Sequence, residues 1–223
     1  MKTISLTATV LLLSHLLMAQ NVGIGTTSPT AGIDINTTLR IRGSSVKAGS
    51  VLTSLDVNGN AEWTRPFAFK ATGGIQGVAV SVPNNTWTKI LFSQEYSQSS
   101  FNHDVENGYN NNTSEFVVSK NGIYNFSVQL HWDNQVAKSS VRIRVKRPSG
   151  TVQTLGERYE QEYFASNGTI VTRQSPSSIT ISGALVEGDI VWVEGFAVYN
   201  GPSITVNANP GYSWFAGHLI TRY

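Results

Sequence analysis

Metal or acid–base chemistry in this chain would have to start from His103, His131 and His218, and none of them has the spacing that such chemistry needs. No His-Glu-x-x-His pair stands on any segment, so each histidine reads as solvent-facing or hydrogen-bonded within the fold. His103 opens a loop in which Asp104, Glu106 and Asn107 gather hard oxygens. Those oxygens suit calcium, and they equally suit a solvated turn. Calcium through Asp104 and Glu106 is therefore the one cofactor worth naming, and none is required. Asp56, Asn58, Asn60 and Glu62 also place oxygens at every second residue, but their glycine falls at the fourth position rather than the sixth of an EF-hand loop. Asn58-Gly59 between two short apolar runs is instead the signal of a hairpin turn. Arg142, Arg144 and Lys146 alternate along one segment and could form a stripe for sulfated or carboxylated polymers. No Gly-x-Ser-x-Gly elbow and no phosphate-cradling Gly-x-x-x-x-Gly-Lys loop occurs, and the 14 acids are scattered, so no catalytic residue is assigned and no enzyme is expected.

The elements that must position these residues are written in the composition. Only 13% of the 223 residues are charged, glycine is abundant at 20 residues, and 10% of the chain is aromatic. Such a profile fits many short strands joined by turns and excludes coiled coils, long helical bundles and charged disordered tails. Sixteen basic and 14 acidic side chains give +2, too weak a field for nucleic-acid binding. Cysteine is absent, which removes disulfides, thiolate metal sites and thiol nucleophiles together.

Residues 1–19 carry Lys2, an apolar run and a small-residue end at Ala19, the pattern of a cleaved secretory signal. The apolar run is shorter than the roughly 20 residues of a spanning helix, and no later segment could span a membrane. Residues 20–66 are rich in Gly, Ser, Thr and Asn, with short apolar pieces around Ile33, Ile35, Leu39 and Ile41 that cannot enclose a core alone. They are expected to form a thin β-rich stalk or linker. Its opening, Asn21-Val22-Gly23-Ile24-Gly25-Thr26-Thr27-Ser28-Pro29, resembles the stalks of trimeric bacterial surface and tail-fibre-like proteins.

From residue 67 to 223 the pattern is that of strands. Tyr124, Phe126, Val128, Leu130 and Trp132 alternate with polar residues over nine positions, a period of two that turns one face to a core. Val141, Ile143 and Val145 alternate in the same way with Arg142, Arg144 and Lys146. Further strands are predicted at 78–82, 86–92, 115–118, 179–182, 190–199, 203–206 and 213–223. Turn signals such as Pro148-Ser149-Gly150 and Glu187-Gly188-Asp189 separate them. Residues 155–178 have the weakest pattern and read as a long loop with an irregular strand at 161–164. Nine or ten short strands so spaced indicate an all-β sandwich or jelly roll.

Particular residues in this region resemble a family. Phe101, Tyr109, Phe116, Gly122 with Tyr124 and Phe126, Gly188-Asp189 with Trp192, and Phe215 with Gly217 and Leu219 stand in the order and spacing of the globular head of complement component C1q. The resemblance implies a ten-stranded jelly roll related to the tumour necrosis factor ligands, a compact homotrimer, and a binding module without catalytic activity. By the same resemblance these twelve residues belong to the core or the trimer contact. Two features depart from the family: no collagen-like Gly-X-Y stalk precedes the head, and cysteine is missing.

The reading that joins these observations is a secreted, extracellular or cell-surface, non-enzymatic homotrimer. It has a C1q-like head for an unknown protein or glycan ligand and no nucleic-acid partner. Its alternative is a monomeric carbohydrate-binding sandwich in which Trp87, Trp132 or Trp214 offers a stacking platform. A secreted hydrolase stands behind both.

Overall fold

Along residues 122–130 buried and outward-facing side chains alternate one by one, because successive residues of a strand point to opposite faces. That segment is one long strand of an all-β fold seen in the computed structural model, which describes residues 21–43, 46, 50–54, 56–65, 67–73, 80–95, 97–98, 101–102, 107–134, 136–159, 163–164, 170–171, 176–207 and 209–223. For 97–98, 101–102, 163–164 and 170–171 only the backbone is described. The leader-like residues 1–19 and the calcium candidates Asp104 and Glu106 lie outside the described residues. No helix occurs among the described residues.

The chain divides into two compact units, residues 1–46 and 47–223. In the first, Val22–Ile24 (β1) and Ile33–Ile35 (β2) pair in parallel. Asp34 accepts the backbone N–H of Thr30 at 2.8 Å and its hydroxyl at 3.1 Å, pinning the connection between the two strands. Val22, Ile24, Ile33, Leu39 and Ile41 are all exposed.

The second unit opens with an antiparallel hairpin of Val51–Ser54 (β3) and Ala61–Thr64 (β4). Asp56 builds its turn, accepting the N–H groups of Asn58 and Asn60 at 2.9 and 3.0 Å and the Asn60 side-chain amide at 2.6 Å. The Asp56 oxygens weighed for calcium are thus spent on a turn, and these hydrogen bonds, that of the Asn60 side chain first, hold the Asp56 carboxyl below its ordinary range. Ala68–Thr72 (β5), Val80–Pro83 (β6), Thr88–Lys89 (β7), Gln94–Glu95 (β8), Ser97–Gln98 (β9), Phe101–Asn102 (β10), Tyr109–Asn110 (β11) and Glu115–Val117 (β12) follow. Then come the long strands Gly122–Leu130 (β13), Lys138–Lys146 (β14) and Val152–Tyr159 (β15). Tyr163–Phe164 (β16), Ile170–Val171 (β17), Ser177–Leu185 (β18), Ile190–Val198 (β19), Ser203–Val206 (β20) and Trp214–Arg222 (β21) complete the order.

Two sheets face each other. One runs β18-β13-β21-β5-β8; the other runs β11-β12-β19-β14-β15, with β7 also on β19. From β13 the chain crosses to β14, turns into β15, returns as β18, crosses again as β19 and comes back as β21. This switching between two antiparallel sheets is the winding of a jelly roll. Tyr124, Phe126, Val128 and Leu130 of β13 meet Val141, Ile143 and Val145 of β14, Val191 and Val193 of β19, and Phe215 of β21 in one core. Trp132 is fully buried there, and its Nε1 donates to Ser177 Oγ at 3.1 Å, which in turn donates to Ser139 Oγ at 2.7 Å. Of the three tryptophans weighed as platforms, Trp132 is therefore core.

One expectation is corrected here: residues 155–159 are not loop but the end of β15, paired with β14 through Tyr159. An edge strand with a single long neighbour buries little, and only Leu155 of β15 packs on the core. No alternation marks it in the sequence.

Candidate functional site

Five of the residues that carried the family resemblance, Tyr109, Phe116, Tyr124, Phe126 and Phe215, meet in one aromatic cluster. The Phe69 ring, on β5, lies 4.7 Å from Phe116, 4.9 Å from Phe215 and 5.0 Å from Tyr109, centroid to centroid. Tyr124 and Phe126 stack at 6.2 Å beside it. Each phenol finds an acceptor: Tyr109 donates to the Phe92 carbonyl and Tyr124 to that of Lys120, both at 2.8 Å. Burial raises both phenols above the ordinary tyrosine range, so both stay neutral. Gly217 is required at its place, since a Cβ there would sit 2.5 Å from the Phe126 ring and 2.7 Å from that of Phe69. Gly122 begins β13, and Leu219 packs half-buried against the core. Gly188 makes the turn before β19 with φ +88°. Its neighbour Asp189 is fully buried, where its carboxylate meets the Arg147 guanidinium and accepts the Val186 N–H at 2.9 Å. For Phe101 the backbone stands in β10, paired with β9.

The two sheets present very different outward faces. On β18, β13 and β21 the outward residues are Ser178, Thr180 and Ser182, then Ile123, Asn125, Ser127 and Gln129, then Trp214, Ala216 and His218. No Asp, Glu, Lys or Arg is among them. Asn125 donates to Ser182 Oγ at 2.9 Å and Ser127 bonds Thr180 at 2.7 Å, so the polar groups are satisfied within the face. Ile123 and Ile220 remain exposed at its end.

The outward face of the other sheet is laddered with charge. Cross-strand registers place Glu157, Arg142, Glu194 and Lys89 in one row over four strands. Arg142 donates from Nε to Glu194 Oε2 at 2.7 Å, with Nη2 at 2.6 Å, and its Nη1 lies 3.8 Å from Glu157. Trp192 Nε1 donates to the other Glu194 oxygen at 3.0 Å, and Lys89 bridges Glu115 at 2.6 Å. Beside this row Tyr159, Phe196 and Trp87 form an aromatic one. Trp87 lies 5.3 Å from Phe196 and 6.3 Å from Tyr159, and the Arg142 guanidinium stacks 4.1 Å over its ring. Hydrogen bonding to Glu157, ahead of desolvation, raises the Tyr159 phenol as well.

A C1q domain model matches residues 79–220, well over half of the chain. The chain belongs to the C1q domain family. Solved structures similar to it include the Eiger TNF of S. frugiperda, at 16% identity and a TM-score of 0.49 over 71% of this chain and 94% of that one. The globular domain of zebrafish complement 1qA protein is similar at 19% identity and 0.46, over 71% of this chain and all of that one. Murine APRIL at pH 8.5 is similar at 9% identity and 0.45, over 70% and 100%. No curated protein matches the sequence.

Within the C1q domain, Val191 and Val193 take the interior side of β19, and Trp192 stands half-buried on the outward face. One sequence-based reading changes. Arg142 and Arg144 do not form a bare cationic stripe with Lys146. Arg142 is neutralised by Glu194, which also lies 3.8 Å from Arg144 Nε, and Arg144 donates to Thr154, leaving Lys146 exposed at the strand end. Glu157, Glu194, Tyr159 and Phe196 had no part in the sequence reading. For Glu194 and Phe196 the signal was mixed aromatic and acidic character at every second residue of 190–198, legible once the register is known; Glu157 and Tyr159 lay in a segment whose pattern gave none. Among the described residues no three of His, Asp and Glu gather to hold a metal, and no helix is long and apolar enough to cross a membrane.

Proposed function

We propose that this protein is a secreted, non-enzymatic recognition protein that works as a homotrimer, its C1q domain serving as the binding head for an extracellular protein or glycan. The observation that carries the reading is the outward face of β18, β13 and β21. It is free of formal charge, lined by uncharged polar, small and aromatic side chains and edged by exposed Ile123 and Ile220. A second copy can cover such a face without burying an unpaired charge, which is the costly event at an interface. The family, whose heads are typically trimeric, extracellular and without catalytic activity, supports the same assembly. Residues 1–19 act as the secretion signal in this reading. Residues 20–66 form the stalk, where Ile33, Ile35, Leu39 and Ile41, too few to enclose a core within one chain, share one among three. Light scattering of the protein recovered from a secreting bacterium tests the assembly: a mass near three chains is expected, and a stable monomer at micromolar concentration overturns it. Mass spectrometry of the same sample is expected to find the chain starting at Gln20 or Asn21; an intact Met1 overturns secretion by a cleaved leader.

A further inference from the structure

We propose that the β3–β4 hairpin of one copy docks on a second copy, its Leu52–Trp63 face filling the groove that the neighbouring hairpin makes with the end of β21, so that three hairpins close into a collar. The proposal rests on the trimeric reading and gives the trimer a second contact, outside the neutral sheet face. A two-stranded ribbon is marginal in water by itself, and β3 and β4 pair with each other and with no third strand. Its stability then depends on what covers its two faces.

Register separates those faces. Val51 lies opposite Thr64 and Thr53 opposite Glu62 on one; Leu52 lies opposite Trp63 and Ser54 opposite Ala61 on the other. The first is turned to the chain's own β21: Glu62 accepts from Arg222 at 3.0 Å, and Val51, Thr53 and Thr64 line an open groove of about 300 Å³ with Leu219, Ile220 and Thr221. The chain leaves this groove unfilled, with Val51 56% and Ile220 53% exposed. The second face is turned away from the groove, and Leu52 stands exposed on it beside half-buried Trp63.

One chain cannot bring these two surfaces together, because opposite faces of a ribbon point apart. A second copy can, and a contact that joins two different patches closes on itself as a ring. Two observations select the second copy as the occupant. Ile220 lines the groove and also stands with Ile123 at the end of the neutral face of β18, β13 and β21, so the groove continues the surface proposed for the meeting of copies. The two halves of the contact also bury no lone ion. Leu52, Ser54, Ala61 and Trp63 carry no charge; of the arginines that line the groove, Arg222 is paired with Glu62 and Arg65 keeps part of its surface in water.

Because the chain contains no cysteine, disulfide cross-linking tests this without background. Leu52→Cys and Ile220→Cys, both at exposed positions, are made in separate full chains with different tags, co-expressed and oxidised. Non-reducing electrophoresis is expected to show dimers that carry both tags, with a 52–220 disulfide found by mass spectrometry, and a chain with both substitutions is expected to give covalent trimers. Val152→Cys, exposed on β15 of the other sheet, is expected to remain a single chain on the same gel. Disulfides that join only like positions, equal cross-linking of the Val152→Cys control, or no disulfide between copies overturns the proposal. As a second measurement, Leu52→Asp should cut amide protection across β3 and β4 about tenfold while β13 stays protected, and unchanged protection of the hairpin overturns the proposal as well. Light scattering of the reduced samples keeps the two ideas separable: trimers without the 52–220 link sink the collar and leave the trimeric head standing, whereas monomers sink both.

Discussion

At the scale of single residues the jelly roll depends on how closely aromatic rings meet. Phe126 is fully buried between Tyr124, Phe215 and Phe116, at centroid distances of 6.2, 5.9 and 5.9 Å, whereas its neighbour Asn125 faces outward. Phe126→Ala removes a ring that nothing nearby can replace and is expected to cost about 3–5 kcal/mol; Asn125→Ala, losing one hydrogen bond on the surface, should cost less than about 1 kcal/mol. Denaturant unfolding of the two variants measures the difference, and equal losses would contradict the facing of β13. Gly217→Ala tests the same cluster from the other side. The added methyl meets two aromatic rings at under 3.0 Å, so a destabilisation of about 1–3 kcal/mol is expected, against the small gain an alanine brings where space is free. Asp189 shows the polar counterpart of this packing. It is the one fully buried carboxylate among the described residues, kept there by Arg147 and a backbone N–H rather than by solvent.

Elements behave according to what they pair with. The β3–β4 hairpin has no sheet beyond itself, so its turn carries much of its definition, and the turn hangs on the Asp56 carboxylate. Because hydrogen bonds in the folded hairpin hold this carboxyl below its ordinary value of 3.8, the stabilisation is present above that value and is lost as pH falls through the lower folded one. Amide protection at Gly59 and Asn60, the exchange rate relative to the intrinsic rate at the same pH, should therefore be present at neutral pH and fall away once the pH drops below about 3.8, while amides of β13 stay protected. Asp56→Ala should lack this protection at every pH, and protection that survives either change would contradict the role of the turn. Strand β14 differs: it sits between β15 and β19, and its outward arginines are fixed by carboxylates on both neighbours. A charge row shared across strands pins their register, since a slip of one residue would turn Arg142 inward and Ile143 out.

For the whole molecule the deciding contrast is between the two outward faces. On one, β18, β13 and β21 present no formal charge, with Lys70 of β5 beside Trp214; the other carries a ladder of paired charge beside aromatic rings, with Lys138 and Lys146 at the ends of β14. If copies meet through the neutral face, a single large cation placed there has no counter-charge and must be desolvated on assembly. Ser127→Arg is expected to convert the trimer to monomers by light scattering, with the far-ultraviolet spectrum unchanged, while Lys146→Ser on the opposite face leaves the trimer intact. A trimer that tolerates Ser127→Arg would place the contact elsewhere.

Much of this was legible before any tertiary structure. The β13 alternation from Tyr124 to Trp132, the Arg/Ile alternation of β14 and the turns at Asn58-Gly59 and Gly188-Asp189 are local properties, set by the two-residue period of a strand and by backbone conformations that few residues tolerate. The order of the aromatic and glycine motifs pointed to the family for the same reason: each motif is a short stretch that the fold needs at one point. Trp192 could not be assigned to one side from the sequence because β19 carries apolar residues on both faces, Val191 and Val193 on one and Trp192 and Phe196 on the other. Periodicity cannot say which side of such a strand is the core. Strand β15 escaped notice because an edge strand that buries one leucine has no period to show. The ladder of Glu157, Arg142, Glu194 and Lys89 was beyond reach altogether. Arg142 and Glu194 are 52 residues apart, and only the pairing of β19 with β14 and β7 decides that these charges face one another across neighbouring strands instead of facing water.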